Sequence, residues 1–156
     1  MVVETDEGLK GLGEATGGLS TQPTVAQVDE VKHLAIGRDP RNVHEIWNHL
    51  YLSGFLNITP AMSGIEMACW DILGKAAGQP VFKLLGGRTK ERIPVYASKL
   101  YSGPIEDMQR EAQSYVDQGF SMFKMRFGWG PRDGVAGMRE NLDRVAAVRE
   151  VIGEDT

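Results

Sequence analysis

Two cations separated by one residue are the most chemically pointed feature of the sequence. In an extended chain over residues 121–127, Met122, Lys124 and Arg126 point to one side, and Phe123, Met125 and Phe127 to the other. The second side is wholly apolar and suits packing beneath helices. The first would set Lys124 and Arg126 on the inner face of a barrel, towards the carboxyl end of its strand, where barrel active sites lie. Like charges about 7 Å apart disfavour one another. Lys124 is the member able to give up its proton and act as a base, because a guanidinium stays charged at any ordinary pH. Arg126 is suited instead to holding a carboxylate or a developing enolate. The same spacing is equally compatible with a half-exposed strand whose basic face is merely solvated.

Around this segment the pattern reads β-α-β-α. Residues 93–97 form a short β-type run. Residues 105–118 read as a helix with Ile105, Met108, Ala112 and Tyr115 or Val116 inward, closed by Gly119. After the 121–127 strand and a Gly/Pro loop over 128–133, residues 135–152 read as a helix with Met138, Leu142, Val145 and Val148 repeating. That alternation is the rhythm of a parallel sheet or barrel. Two such units cannot close a barrel, so the chain is expected to be the front part of a larger α/β enzyme, ending where another strand should begin.

The preceding half reads differently. A hairpin around Gly8 leads into a loop over 15–23 rich in Gly and hydroxyl residues, and then into three helices. Thr24 and Gln27 form a Thr-x-x-Gln capping box, with Val25, Val28, Val31 and Ala35 at helical spacing behind it. Asp39-Pro40 can start a second helix with Val43, Ile46, Trp47 and Leu50 on one face, and Thr59-Pro60 a third whose stripe runs Met62, Ile65, Cys69, Ile72, Leu73 and Ala76. Gly78 stops that helix. The expected fold class is an α+β domain over 1–90, followed over 91–156 by the first two βα units of a modified TIM barrel.

Composition narrows the function. With 42% hydrophobic and 24% charged residues in 156, the chain is globular rather than disordered. A net charge of −4 without a basic stripe speaks against nucleic acid. No run approaches the roughly 18 apolar residues of a membrane span, and the first residues lack the pattern of a secretory leader; a cytoplasmic location is expected. The single Cys69 lies in an apolar helical pattern and reads as an inert buried thiol. Glu66 and Asp71 read as structural partners, and His33, His44 and His49 as surface or packing residues.

Several segments together resemble the enolase superfamily, in particular its mandelate racemase/muconate lactonizing enzyme type and the sugar-acid dehydratase branch. They are Gly11-Leu12-Gly13-Glu14, the long block from Ala61 through Trp70-Asp71 to Gly86-Gly87, Val95-Tyr96-Ala97-Ser98, and Gly119-Phe120-Ser121-Met122-Phe123-Lys124-Met125-Arg126. The resemblance implies a capping domain lacking its first strand, followed by the start of the barrel. It implies Mg²⁺-assisted removal of the proton next to a carboxylate, with metal ligands on barrel strands beyond this chain, so that no metal ligand is assigned here. It makes Lys124 and Arg126 the candidate catalytic residues, and Thr16 and Ser98 the candidate substrate contacts.

Arg126 stands where the family commonly has the second lysine of Lys-x-Lys. The departure favours a substrate-binding role for it over that of a second base. The implied activity is a lyase dehydrating a sugar acid to a 2-keto-3-deoxy acid. Racemase, epimerase or cycloisomerase activity on the same scaffold, or a non-catalytic α+β module, are the alternatives. The implied partners are a small-molecule carboxylate and, in the intact protein, further copies of itself in a homo-oligomer. The chain by itself is expected to be inactive.

Overall fold

The computed structural model describes residues 1–18, 20–53 and 59–156. The chain divides into two compact units, Met1–Thr89 and Lys90–Thr156.

The first unit is a β-hairpin laid on a layer of helices. Strands β1 (Val2–Glu4) and β2 (Lys10–Leu12) pair antiparallel with Val3 opposite Gly11. The helices are α1 (Gln22–Val31), α2 (Val43–Ser53), α3 (Thr59–Ala77) and the single turn α4 (Val81–Leu84), which the apolar periodicity did not reveal. Their core joins Val31, Val43, Ile46, Leu50, Ala61, Met62, Ile65 and Cys69. Trp47, Trp70 and Leu73 pack against it, half-buried.

Why glycines stand in β2 and just after it, at Gly11 and Gly13, follows from the approach to α3. A Cβ on Gly11 would run into the carbonyl of Ala68, and one on Gly13 into that of Gly64. The strand therefore rests almost directly on the helix backbone, and only Gly fits. The outer edge of β2 is closed by side chains from α3. Asp71 Oδ2 accepts the Leu12 N–H at 2.8 Å, and Lys75 Nζ donates to the Lys10 carbonyl at 2.6 Å. Asp71 and Lys75, one helical turn apart, also pair at 2.7 Å. An edge strand that would otherwise present unpaired backbone groups is thus satisfied.

Two local expectations are corrected in this unit. Thr24 does not cap α1, which starts at Gln22 with Pro23 in its first turn and Thr21 before it; Thr24 is buried inside the helix, its hydroxyl against Gly17. Proline suits the first helical turn because no partner for its missing N–H is lost there. Asp39-Pro40 does not begin α2 either. Asp39 Oδ1 accepts the Arg41 N–H at 2.9 Å in a side-chain turn, and the helix starts at Val43. Gly78, at φ 60°, ends α3 as expected.

The second unit packs α5 (Ile105–Asp117) against α6 (Gly134–Ile152), with Leu100, Met108, Ala112 and Val148 at its centre. The two expected strands, 93–97 and 121–127, reduce to one parallel bridge, Ala97 with Phe123. Ala97 N–H donates to the Met122 carbonyl at 2.9 Å, and Lys124 N–H donates to the Ala97 carbonyl at 3.0 Å. The next bond in register would use the Lys99 carbonyl. Instead Arg126 N–H reaches the carbonyl of Leu100 at 3.1 Å, and Leu100 has φ 58°. That left-handed residue, its side chain wholly buried, turns the first segment out of register and ends the ladder.

On α6 the expected stripe is half wrong. Val148 is buried and Val145 half-buried, but Met138 and Leu142 are exposed. The inward side instead carries Gly137, Ala147 and Val148, because Trp129 lies over Gly137 where any side chain would collide.

Candidate functional site

The alternation read for 121–127 holds through Arg126, but Phe127, expected on the apolar side, is exposed, because the pairing with the neighbouring segment ends at the Leu100 turn. Phe123 and Met125 pack against the second unit's core. Lys124 and Arg126 project on the opposite side, Lys124 half-buried and Arg126 exposed. Each lies by a tyrosine of the neighbouring segment: Lys124 Nζ is 6.0 Å from the centre of the Tyr96 ring, and the Arg126 guanidinium carbon 5.4 Å from that of Tyr101. A cation at this range is attracted by the electron-rich ring face. Among the described residues, no carboxylate lies within ion-pair distance of either cation. The pair is held by backbone and rings while its charges stay available.

Ser98 follows the buried Ala97 and is exposed, so the second unit carries Ser98, Lys124 and Arg126 on two bonded segments. Thr16 belongs to the first unit, on the exposed loop after β2, where its hydroxyl donates to Glu14 Oε1 at 2.8 Å. Leu19 of that loop lies outside the described residues. Tyr96 and Tyr101 were missed as site neighbours by sequence reasoning. Their proximity to the cations depends on the parallel register and on the turn at Leu100, and the only available signal was the presence of two tyrosines flanking the 97–100 segment.

Continuing from Arg126, the loop to α6 is tightly built. Gly130 N–H donates to Asp133 Oδ2 at 2.7 Å, and Asn141 Nδ2 donates to the Trp129 carbonyl at 3.0 Å. The Arg144 guanidinium lies 4.2 Å from the centre of the Trp129 ring, and Arg144 Nε donates to the Gly103 carbonyl at 3.0 Å.

Other titratable groups have structural partners. The hydrogen bond from Lys75, then that from the Leu12 N–H, holds the Asp71 carboxyl below its usual range. Arg41 does the same to Asp39. Burial pushes the Cys69 thiol up to about 11, with a smaller contribution from Glu66, which fits the inert role expected of it. Glu66 Oε1 faces Trp70 Nε1 at 3.4 Å; His33 Nδ1 meets the Glu30 carbonyl at 2.8 Å, and His44 lies edge-on to Trp70. Among the described residues, no group of three or more His, Cys, Asp or Glu could hold a metal ion. The residues present therefore do not fit a magnesium site. None of the helices described is long and apolar enough to cross a membrane.

The first unit is thus a β-hairpin backed by helices, and the second joins two segments by one parallel bridge beside two helices; comparison with known proteins identifies the family. Residues 1–86 match the family model of the mandelate racemase/muconate lactonizing enzyme N-terminal domain. D-Galactonate dehydratase of Variovorax paradoxus is 38% identical over 74% of this chain and 32% of its own length. N-succinyl-L-Arg/Lys racemase of Bacillus cereus is 33% identical over 98% of this chain and 41% of its own. The solved structure of 3,6-anhydro-D-galactonate cycloisomerase from Zobellia galactanivorans superposes with a TM-score of 0.88 at 29% identity, covering 99% of this chain and 42% of that one. Other solved structures of this fold carry magnesium or sodium. The chain belongs to the mandelate racemase/muconate lactonizing enzyme family of the enolase superfamily, and contains its α+β N-terminal capping domain. It spans about a third to two fifths of the length of the curated relatives it matches.

Proposed function

We propose that the protein carrying this chain removes the proton α to the carboxylate of a sugar acid and eliminates water to give a 2-keto-3-deoxy acid. In this reading residues 1–90 are the capping domain, and residues 91–156 contribute the first two βα units of a catalytic barrel. The observation that carries it is the placement of Lys124 and Arg126. Both leave the core on one side, next to tyrosine rings and without a carboxylate partner among the described residues.

Lys124 takes the C2 proton as general base, and the C–H electron pair passes into an enediolate. Arg126 holds the carboxylate, where its fork of donors meets the charge that develops on the oxygens. The C3 hydroxyl departs, and the proton removed from C2 is available to it, so the net loss is water. The resulting enol tautomerises to the keto acid. Ser98 contacts the substrate's oxygens. Mg²⁺, if held by residues other than those described, would lend charge stabilisation to the enediolate; the steps here are those of this chain's own residues.

A racemase on the same scaffold is the second reading, favoured by the 33% identity to a racemase over 98% of the chain. The two separate by product. The full-length protein, incubated with a panel of sugar acids, is expected to form 2-keto-3-deoxy acids detectable by NMR. Epimers alone would overturn the dehydratase reading, and no turnover of any acid would overturn both.

A further inference from the structure

We infer that Tyr101 and Arg144 are positioning residues that hold Arg126 ready to bind an oxyanion. The inference rests on the proposed role of Arg126 as carboxylate anchor, and extends it to residues that touch no substrate themselves.

The support for Arg126 comes from two directions. Its main chain is fixed, because its N–H donates to the Leu100 carbonyl at 3.1 Å. Leu100 is the one non-glycine residue with positive φ among those described, and its wholly buried side chain keeps it there. A leucine in the left-handed region is strained, and only tight surroundings retain it. The same turn delivers Tyr101, whose ring lies 5.4 Å from the Arg126 guanidinium. Backbone and side chain of Arg126 thus both depend on the 100–101 turn.

That turn is itself anchored. Two residues on, the Gly103 carbonyl accepts from Arg144 Nε at 3.0 Å. The Arg144 side chain is only 14% exposed. Its guanidinium lies on Trp129, three residues past Arg126, and donates to Glu140 Oε2 at 2.7 Å. Arg144 therefore ties the stretch after Ala97 and the stretch after Phe123 to the same helix. Gly128 closes the arrangement, since any side chain there would strike the Ser102 hydroxyl. The two arginines divide the work. Arg144 is half-buried and donates to Gly103 and Glu140, whereas Arg126 is exposed, lies by a ring and has no side-chain hydrogen-bond partner among the described residues. A pre-oriented guanidinium loses less freedom when it captures a planar carboxylate.

The 156-residue chain can be tested by NMR of the Arg126 side chain, with D-galactonate as probe and neutral galactitol as control. D-galactonate is expected to shift the Arg126 Nε–H signal saturably, and galactitol to leave it in place. In the ligand-free chain, Tyr101→Leu should remove the ring-current shift of the Arg126 methylene protons. It should also weaken D-galactonate binding about 2- to 5-fold, the effect of an exposed cation–ring contact. Tyr101→Phe should restore both. Tyr101 is exposed, so these variants leave the core intact; Arg144→Met should weaken binding similarly. If Tyr101→Leu leaves shift and affinity unchanged while D-galactonate still binds at Arg126, the positioning role is overturned and the anchor reading stands. If neither D-galactonate nor any other member of a panel of sugar acids perturbs Arg126 although the ring-current shift is present, the sugar-acid reading is overturned instead.

Discussion

The closure of the β2 edge by Asp71 and Lys75 gives a prediction whose size and sign can both be worked out. Replacing Asp71 by Ala removes the acceptor of the Leu12 N–H and the partner of Lys75. Hydrogen bonds to a charged group contribute about 1.5–3 kcal/mol. Here the Asp71 side chain is 30% exposed and that of Lys75 46%, so solvent screens the pair. The freed Leu12 N–H is at an exposed residue and regains water. About 1 kcal/mol remains for Asp71→Ala, and about half of that for Asp71→Asn, which keeps a neutral acceptor. For a unit of this size 1 kcal/mol lowers Tm by about 4–8 °C.

The pH dependence follows from the depressed carboxyl. A group whose folded pKa lies below its unfolded value stabilises fully above the unfolded value, about 4 for Asp, and loses that contribution as pH falls through the folded pKa. The gap between parent and Asp71→Ala should therefore be full at pH 7 and narrow only in acid, below about pH 4. Thermal melts followed by circular dichroism across pH 7 to 3 measure it, and hydrogen exchange at the Leu12 amide localises it. Equal melting of parent and variant at pH 7, or a gap unchanged at pH 3, would refute the reasoning.

Three further outcomes are expected. Gly13→Ala places a methyl against the Gly64 carbonyl and should cost about 1–3 kcal/mol as β2 lifts from α3, read as a lowered urea midpoint. Cys69, 1% exposed with its thiol pushed up to about 11, should resist a disulfide reagent at pH 8 in the native chain and react at the rate of unfolding; immediate labelling would contradict its burial. Millimolar Mg²⁺ should leave the melting temperature of the 156-residue chain unchanged, because the described residues lack a donor cluster; a clear rise would contradict this.

How much of this was legible in sequence depended on whether a feature is local. The split of 121–127 into Phe123 and Met125 inside and Lys124 and Arg126 outside follows from the period of two, and it holds although the ladder is one bridge long. The stripe of α3 was equally clear, since a long helix against a core repeats its signal many times. On α6 two apolar sides competed. Periodicity chose Met138 and Leu142, whereas packing chose the side of Gly137, where Trp129 needed room. The α1 cap failed because Thr24 serves as a buried contact to Gly17 and Pro23 opens the helix earlier. Hidden altogether were the turn at Leu100 and the Tyr96 and Tyr101 contacts, which arise from tertiary burial and strand register. The candidate site was readable as residue types on a face, but not as a supported geometry.

The central claim is that Lys124 removes a proton next to a carboxylate. Its most direct test is the rate at which the full-length protein removes the C2 proton of a sugar-acid substrate in D₂O, followed by NMR for the parent and for Lys124→Met. The account predicts that the variant loses about 10²- to 10⁴-fold, the contribution of a general base. A Lys124→Met protein that removes the C2 proton as fast as the parent would contradict it.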